Sequence, residues 1–161
     1  MKLLMVCLGN ICRSPLAEGI LKQKAAAAGL NWTVDSAGTT AHCVGQQPHS
    51  LSQKVAKLHG IDIGGQQCRQ FRKEDMDHYD HIYVMDADNY AEVKRIAANK
   101  WDAGKVSLLL NALYPGQQRE VPDPWYGAEQ GYHEVFELID KACDRIVAQH
   151  KNKTGLLGAD A

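Results

Sequence analysis

The chain has 161 residues, of which 45% are hydrophobic and 23% charged, and a formal net charge of −1. That length suits one domain able to bury roughly 70% of the surface its unfolded form exposes. Near-neutral charge, with no basic run beyond Lys151-Asn152-Lys153, argues against a nucleic-acid partner, and no stretch nears the roughly 20 apolar residues of a membrane span. The first residues, Met1 to Cys7, imitate a secretion signal, but the apolar core is short, Asn10 and Arg13 follow at once, and Val6 is not the small residue that precedes a lipoprotein cysteine. A cytoplasmic protein is expected. Lys2 to Val6 reads as an interior strand, and a helix opens near Pro15 with Leu16, Ile20 and Leu21 at helical spacing.

Between that strand and helix lies Cys7-Leu8-Gly9-Asn10-Ile11-Cys12-Arg13-Ser14. Gly9 and Asn10 are the residues best able to take positive φ. A strand–loop–helix of this kind turns successive N–H groups inward and caps them with the positive end of a helix, which makes an anion nest. Cys7 stands where those dipoles and Arg13 favour a thiolate. Arg13 offers a planar fork matched to two phosphate oxygens. A thiolate on the floor of a phosphate cradle is placed for in-line attack on phosphorus. A bare Cys-x5-Arg arises often by chance, and lone cysteines at strand ends are commonly packing residues; the flanking strand, Gly9, Asn10, Ser14 and the helix set this one apart.

Further along, Gly29 ends an alanine run, and Trp32-Thr33-Val34 reads as a second strand closing at Asp35. Residues 36–47 are expected as a loop. Pro48 and Ser50 open a helix carrying Leu51, Val55 and Leu58, stopped by Gly60. Residues 61–73 look irregular, 73–78 form a short helix, and 81–85 a third strand. A helix follows over 88–98, a fourth strand over 105–110, a proline-rich loop over 115–127 and a long amphipathic helix over 132–150, so that 1–150 make the domain. Residues 151–161 carry no periodic face and are expected as a flexible tail. Repeated strand–helix units imply an α/β fold, a parallel sheet with helices on both faces, and a ligand site at the carboxyl ends of the strands.

Five cysteines in a chain without a secretion signal read as thiols. Their spacing contains no Cys-x2-Cys pair, so neither zinc nor another metal or cofactor is expected. Cys68 and Cys143 read as packing residues.

Cys7 to Pro15 followed by Ala17-Glu18 resembles the phosphate-binding loop of the low-molecular-weight protein tyrosine phosphatases. Asp35 to Gly38, Tyr83 to Asp86 and Val121 to Gly127 resemble further segments of that family in the same order. The resemblance implies a three-layer sandwich with a four-stranded sheet in the order 2-1-3-4. It also implies hydrolysis of phosphotyrosine or small aryl phosphates through a phosphocysteine on Cys7, inhibition by phosphate and vanadate, and a monomer. A phenol leaves poorly as an anion, so a proton donor is needed. Asp123, stiffened by Pro122 and Pro124, is that donor by the resemblance and then the base on the attacking water; on its own, Asp-Pro could equally start a turn.

By the same resemblance Ser14 bonds the thiolate, and Asn10 and Ser36 pin the loop. Leu8 and Ile11 make an apolar floor, and Trp125 and Tyr126 wall the entrance. Cys12 is a redox partner for Cys7. Ile11 favours phosphotyrosine, since relatives acting on phosphoarginine carry threonine there. Two departures stand out. The family's pinning histidine is missing from Gly64-Gly65-Gln66-Gln67, and His42 replaces the wall residue of animal members. Two other readings use the same nest: an arsenate-reductase-like redox enzyme, which would need two more cysteines at roughly Cys-x6-Cys spacing, and a non-catalytic phosphate-binding module, which could dispense with the thiol and Asp123.

Overall fold

The apolar run after Lys2 is the centre of the molecule. In the computed structural model, which describes the backbone of residues 1–159 and the side chains of 1–125 and 127–151, it forms β1 (Lys2–Cys7). Leu3, Leu4, Met5 and Val6 are all buried. β1 lies between β2 (Thr33–Gly38) and β3 (His81–Val84), with β4 (Val106–Leu108) at the edge. All pairings are parallel and the order is β2-β1-β3-β4, as the family resemblance implied.

The period-two alternation of β1 divides two cores. Leu3, Met5 and Cys7 pack with Leu16, Ile20, Val55, Ile139 and Ala142, which belong to α1 (Arg13–Ala27), α2 (Ser50–Leu58) and α5 (Glu129–Ala159). Leu4 and Val6 face the other way, onto Met76, Val93 and Ala97 of α3 (Asp75–His78) and α4 (Ala87–Ala97). Helices therefore cover both faces of the sheet.

Three sequence expectations change at their edges, and a fourth segment holds but packs more closely than a connector. β2 continues through Ser36, Ala37 and Gly38, which pair with Met5, Val6 and Cys7. Small and polar residues look like loop, but at Gly38 the backbone of residues 8–10 lies so close that a Cβ would not fit. The fourth strand stops at Leu108, because Leu109 and Leu110 turn through a 3-10 segment (Leu109–Ala112) into the α5 core. Residues 61–73 carry no helix or strand, as expected, but they pack closely. Ile61 and Ile63 close over α1 so tightly that a Cβ on Gly19 would meet Ile63 at 2.6 Å, which is why the first half of α1 is buried all round. Finally, α5 starts at Glu129 and runs to Ala159, past His150. Of the expected tail, the side chains of 152–159 and all of 160–161 lie outside the described residues.

His81 on β3 bonds Ser107 of β4 through Nε2 at 2.7 Å. Burial disfavours its imidazolium and holds its pKa below the ordinary histidine value. The unfolded chain therefore takes up the extra proton. The stability His81 confers is complete above about pH 6.5 and declines as pH falls through that value towards the folded one. His81→Gln should flatten the loss of urea resistance between about pH 7 and about pH 5; parallel slopes for mutant and wild type would assign that loss to other groups.

Candidate active site

The segment from Cys7 to Arg13 links the end of β1 to the start of α1 as a tight curve. Asn10 sits at φ 60°, in the left-handed region that asparagine tolerates. Around the curve nearly every carbonyl is claimed from outside. Thr39 N–H donates to Cys7 O at 3.0 Å, and Thr40 N–H to Leu8 O at 3.0 Å. The Cys68 thiol donates to Asn10 O at 2.7 Å. His49 N–H donates to Ile11 O at 2.7 Å, and Ser52 Oγ to Cys12 O at 3.2 Å. In a trans peptide the N–H of the next residue points opposite to each carbonyl. The amides of Leu8, Gly9, Ile11, Cys12 and Arg13 are thereby turned to the concave side, which completes the anion nest.

Asn10 has every polar atom engaged. Its N–H donates to Cys7 Sγ at 3.3 Å. Its Nδ2 donates to Ser14 Oγ at 2.8 Å and to Ser36 Oγ at 3.0 Å. Its Oδ1 accepts from Arg69 N–H at 3.0 Å. Ser14 Oγ lies 3.1 Å from Cys7 Sγ. Cys68 and Arg69 thus hold Asn10 from outside the loop; in the stretch 64–67, Gln66 donates to Pro15 O at 3.1 Å. The reading of Cys68 as mere packing is corrected: burial pushes its thiol up to about 11, so it keeps the proton it donates.

Arg13 is 2% exposed. Its Nη1 donates to Asp86 Oδ2 at 2.6 Å and to Val121 O at 3.0 Å, and its Nη2 lies 3.6 Å from Asp123 Oδ2. Burial opposes the guanidinium charge. Cys7, Asp86 and Asp123 outweigh it, and the pKa stands above the ordinary arginine value. Asp86 was legible only as part of a matching segment. Its Oδ1 caps α4 through Asn89 N–H at 2.8 Å, so a helix start holds the carboxylate that holds Arg13.

The cavity above these groups has a volume of about 230 Å³ and is lined by Cys7, Leu8, Ile11, Arg13, His42, Asp123 and Trp125, with Gly9, Cys12, Thr40 and Cys43. Leu8 is 47% exposed, so it forms the rim rather than the floor; Ile11 is the buried one. Asp123 Oδ1 accepts Trp125 N–H at 3.0 Å, capping the short turn Pro124–Tyr126. The Trp125 ring stands edge-on to His49, which stacks on Tyr132. The side chain of Tyr126 lies outside the described residues. Cys12 is buried with Sγ 3.7 Å from Tyr132 Oη, and burial pushes its thiol up to about 12. Thr40, Cys43, His49, Cys68 and Asp86 were missed as site residues. They act through backbone or long-range contacts that leave no local spacing signal.

A family model described as low molecular weight phosphotyrosine protein phosphatase matches residues 2–155. The chain is 37% identical over 147 residues to the low molecular weight protein-tyrosine-phosphatase YfkJ of Bacillus subtilis, covering 90% of this chain and 92% of that one. A protein tyrosine phosphatase structure from Entamoeba histolytica, with Hepes in its active site, superposes with a TM-score of 0.84 at 36% identity, over 96% of this chain and 98% of that one. Vibrio vulnificus Wzb in complex with benzylphosphonate superposes with a TM-score of 0.82 at 29% identity, over 92% and 97%.

A Cβ on Gly38 would lie 2.8 Å from Leu8 O and 2.9 Å from Asn10 N. Both are backbone atoms of the nest and cannot step aside cheaply. Gly38→Ala should cost roughly 1–3 kcal/mol in urea unfolding and weaken vanadate binding; unchanged vanadate affinity would mean that β2 does not set the shape of the nest.

Proposed function

The chain belongs to the low molecular weight phosphotyrosine protein phosphatase family, a family of hydrolases, and we propose that it cleaves phosphotyrosine and small aryl phosphates through a phosphocysteine on Cys7. The observation that carries this reading is the meeting of three groups on one cavity: Cys7 Sγ with the Asn10 amide at 3.3 Å, and Arg13 Nη2 within 3.6 Å of the Asp123 carboxylate.

The phosphate enters the nest, where the loop amides take its equatorial oxygens. Arg13 has five N–H donors, and the two on Nη1 are already used by Asp86 and Val121 O. Those on Nη2 and Nε serve the phosphate as a fork. Cys7 attacks phosphorus in line, and the P–O bond to the phenol breaks. Asp123 delivers a proton to the departing oxygen. Water then attacks the phosphocysteine, Asp123 takes its proton, and inorganic phosphate leaves with Cys7 restored as a thiolate. Trp125, half exposed beside Asp123, and Ile11 flank the substrate ring. Ile11 and the benzylphosphonate bound by Wzb both support an aromatic ester.

Cys7→Ser should abolish turnover of p-nitrophenyl phosphate yet still bind vanadate. Asp123→Ala should slow poorly leaving phenols far more than p-nitrophenol, by about 10²- to 10⁴-fold at the basic end. A rate whose dependence on leaving-group pKa is the same in mutant and wild type would remove Asp123 from the acid role.

The same nucleophile is open to oxidation. Peroxide converts the Cys7 thiolate to a sulfenic acid, and the Cys12 thiol displaces its hydroxyl, forming a Cys7–Cys12 disulfide and water. Peroxide inactivation should be reversed by dithiothreitol in the wild type. In Cys12→Ala, Cys7 should proceed to the irreversible sulfinic acid; equal recovery of both proteins would leave Cys12 as packing against Tyr132.

A further inference from the structure

Glu18, on the first half of α1, is 7% exposed and lies outside the cavity, yet one of its oxygens reaches the loop's supporting network. Ser36 Oγ donates to Glu18 Oε1 at 2.8 Å. Its other oxygen accepts from Lys22 Nζ at 2.7 Å, so the carboxylate is charge-paired where it meets water. We propose that Glu18 is a positioning residue that fixes the direction of a hydrogen-bond relay running from its carboxylate through Ser36, Asn10 and Ser14 to Cys7.

The direction follows from counting protons. Arg69 N–H donates to Asn10 Oδ1, which settles how the amide is turned and leaves Nδ2 as the group facing both serines. Nδ2 has two N–H bonds, and it spends them on Ser14 Oγ and Ser36 Oγ. Each serine oxygen therefore receives a proton, and each must send its own elsewhere. Glu18 is the acceptor for Ser36. A carboxylate only accepts, so Ser36 cannot turn its hydrogen back towards Asn10, and its lone pair stays aimed at the amide. Held from both sides, the amide keeps donating to Ser14.

The Ser14 hydrogen then has two acceptors in reach, Cys7 Sγ at 3.1 Å and Ala37 O at 3.4 Å. A thiolate is the stronger and nearer acceptor. Remove Glu18, and Ser36 is free to rotate, the Asn10 amide loses one of its two anchors, and Ser14 can drift to Ala37 O. Because Lys22 neutralises the Glu18 charge, what reaches Cys7 is an oriented hydroxyl rather than a negative field. The carboxylate meets Ser36 directly, with no residue between them.

The inference rests on Cys7 as the nucleophile, but its test reads the thiol and not turnover. The rate of iodoacetamide labelling of Cys7, followed by peptide mass, gives the pH midpoint of that thiol. Glu18→Met removes the acceptor and should raise the midpoint by about one pH unit, a tenfold loss of thiolate below it. Glu18→Gln keeps an oxygen that can accept from Ser36 and should stay near the wild type. Ser36→Ala should match Glu18→Met, and adding Glu18→Met to it should produce no further shift, because the two act in series.

An unmoved midpoint in Glu18→Met, even with a lowered melting temperature, would reduce Glu18 to a structural ion pair and overturn the relay. So would a shift in Glu18→Gln as large as in Glu18→Met, or additive shifts in the double mutant. Should Glu18→Met fail to fold, Ser36→Ala decides: no rise in its midpoint rejects the relay. A wild type that hydrolysed no aryl phosphate would sink the phosphatase reading, while these midpoints would still decide the relay.

Discussion

Asn10 held in a left-handed conformation is the constraint on which the site depends. A non-glycine residue at φ 60° is uncommon and persists when its surroundings over-determine it. Here they do: its amide N–H, carbonyl, Oδ1 and Nδ2 reach five partners on β1, α1, β2 and the 68–69 segment. Those elements are fixed by the two cores of the sheet, so the curvature of the nest is inherited from packing on both faces. Donors fixed in place by packing are the condition for stabilising developing charge without reorganising.

Arg13 meets a different difficulty. Taking a guanidinium out of water costs several kcal/mol unless its donors are satisfied. The fold satisfies Nη1 with Asp86 and Val121 O, and Arg13 lines the cavity with Nη2 beside Asp123. Val121 N–H in turn donates to the carbonyl of Met85, the residue after β3, at 2.8 Å. One arginine thus joins the phosphate loop, the α4 start and the loop carrying Asp123. The Asp123 carboxylate comes within 3.6 Å of Nη2, so the same guanidinium is in reach of both carboxylates.

The Cys7–Ser14 motif and the order of strands and helices were legible because they are local: turn formers next to one another, apolar residues at fixed spacing. The four-strand order needed the family resemblance, since periodicity says which residues are buried but not which strands are neighbours. What stayed hidden was carried by contacts without a chemical signature. Thr39, Thr40 and His49 hold the loop through backbone N–H groups, which any residue but proline supplies. Ser36-Ala37-Gly38 looked like loop because small residues favour loops. In the fold Gly38 is small because it meets loop backbone in a volume where any side chain would collide, Ser36 uses its hydroxyl between Asn10 and Glu18, and Ala37 packs in the core with Leu4 and Val6. Asp86 and Glu18 are ordinary carboxylates until the fold brings them to Arg13 and Ser36.

The cysteines show how different donors surround sulfurs that are equally buried. Cys7, Cys12, Cys68 and Cys143 are all buried. Burial disfavours a thiolate, and it pushes Cys12 and Cys68 up to about 12 and about 11 and Cys143 upward as well. At Cys12 the Tyr132 hydroxyl only partly offsets that burial. Cys68 turns the retained proton to use, donating it to Asn10 O. Cys7 alone has its sulfur within reach of both an amide N–H and an oriented hydroxyl, on the floor of the nest. The donors that surround each sulfur distinguish these thiols, and at Cys7 one donor is the Asn10 amide while the other, Ser14 Oγ, is held by Asn10 Nδ2.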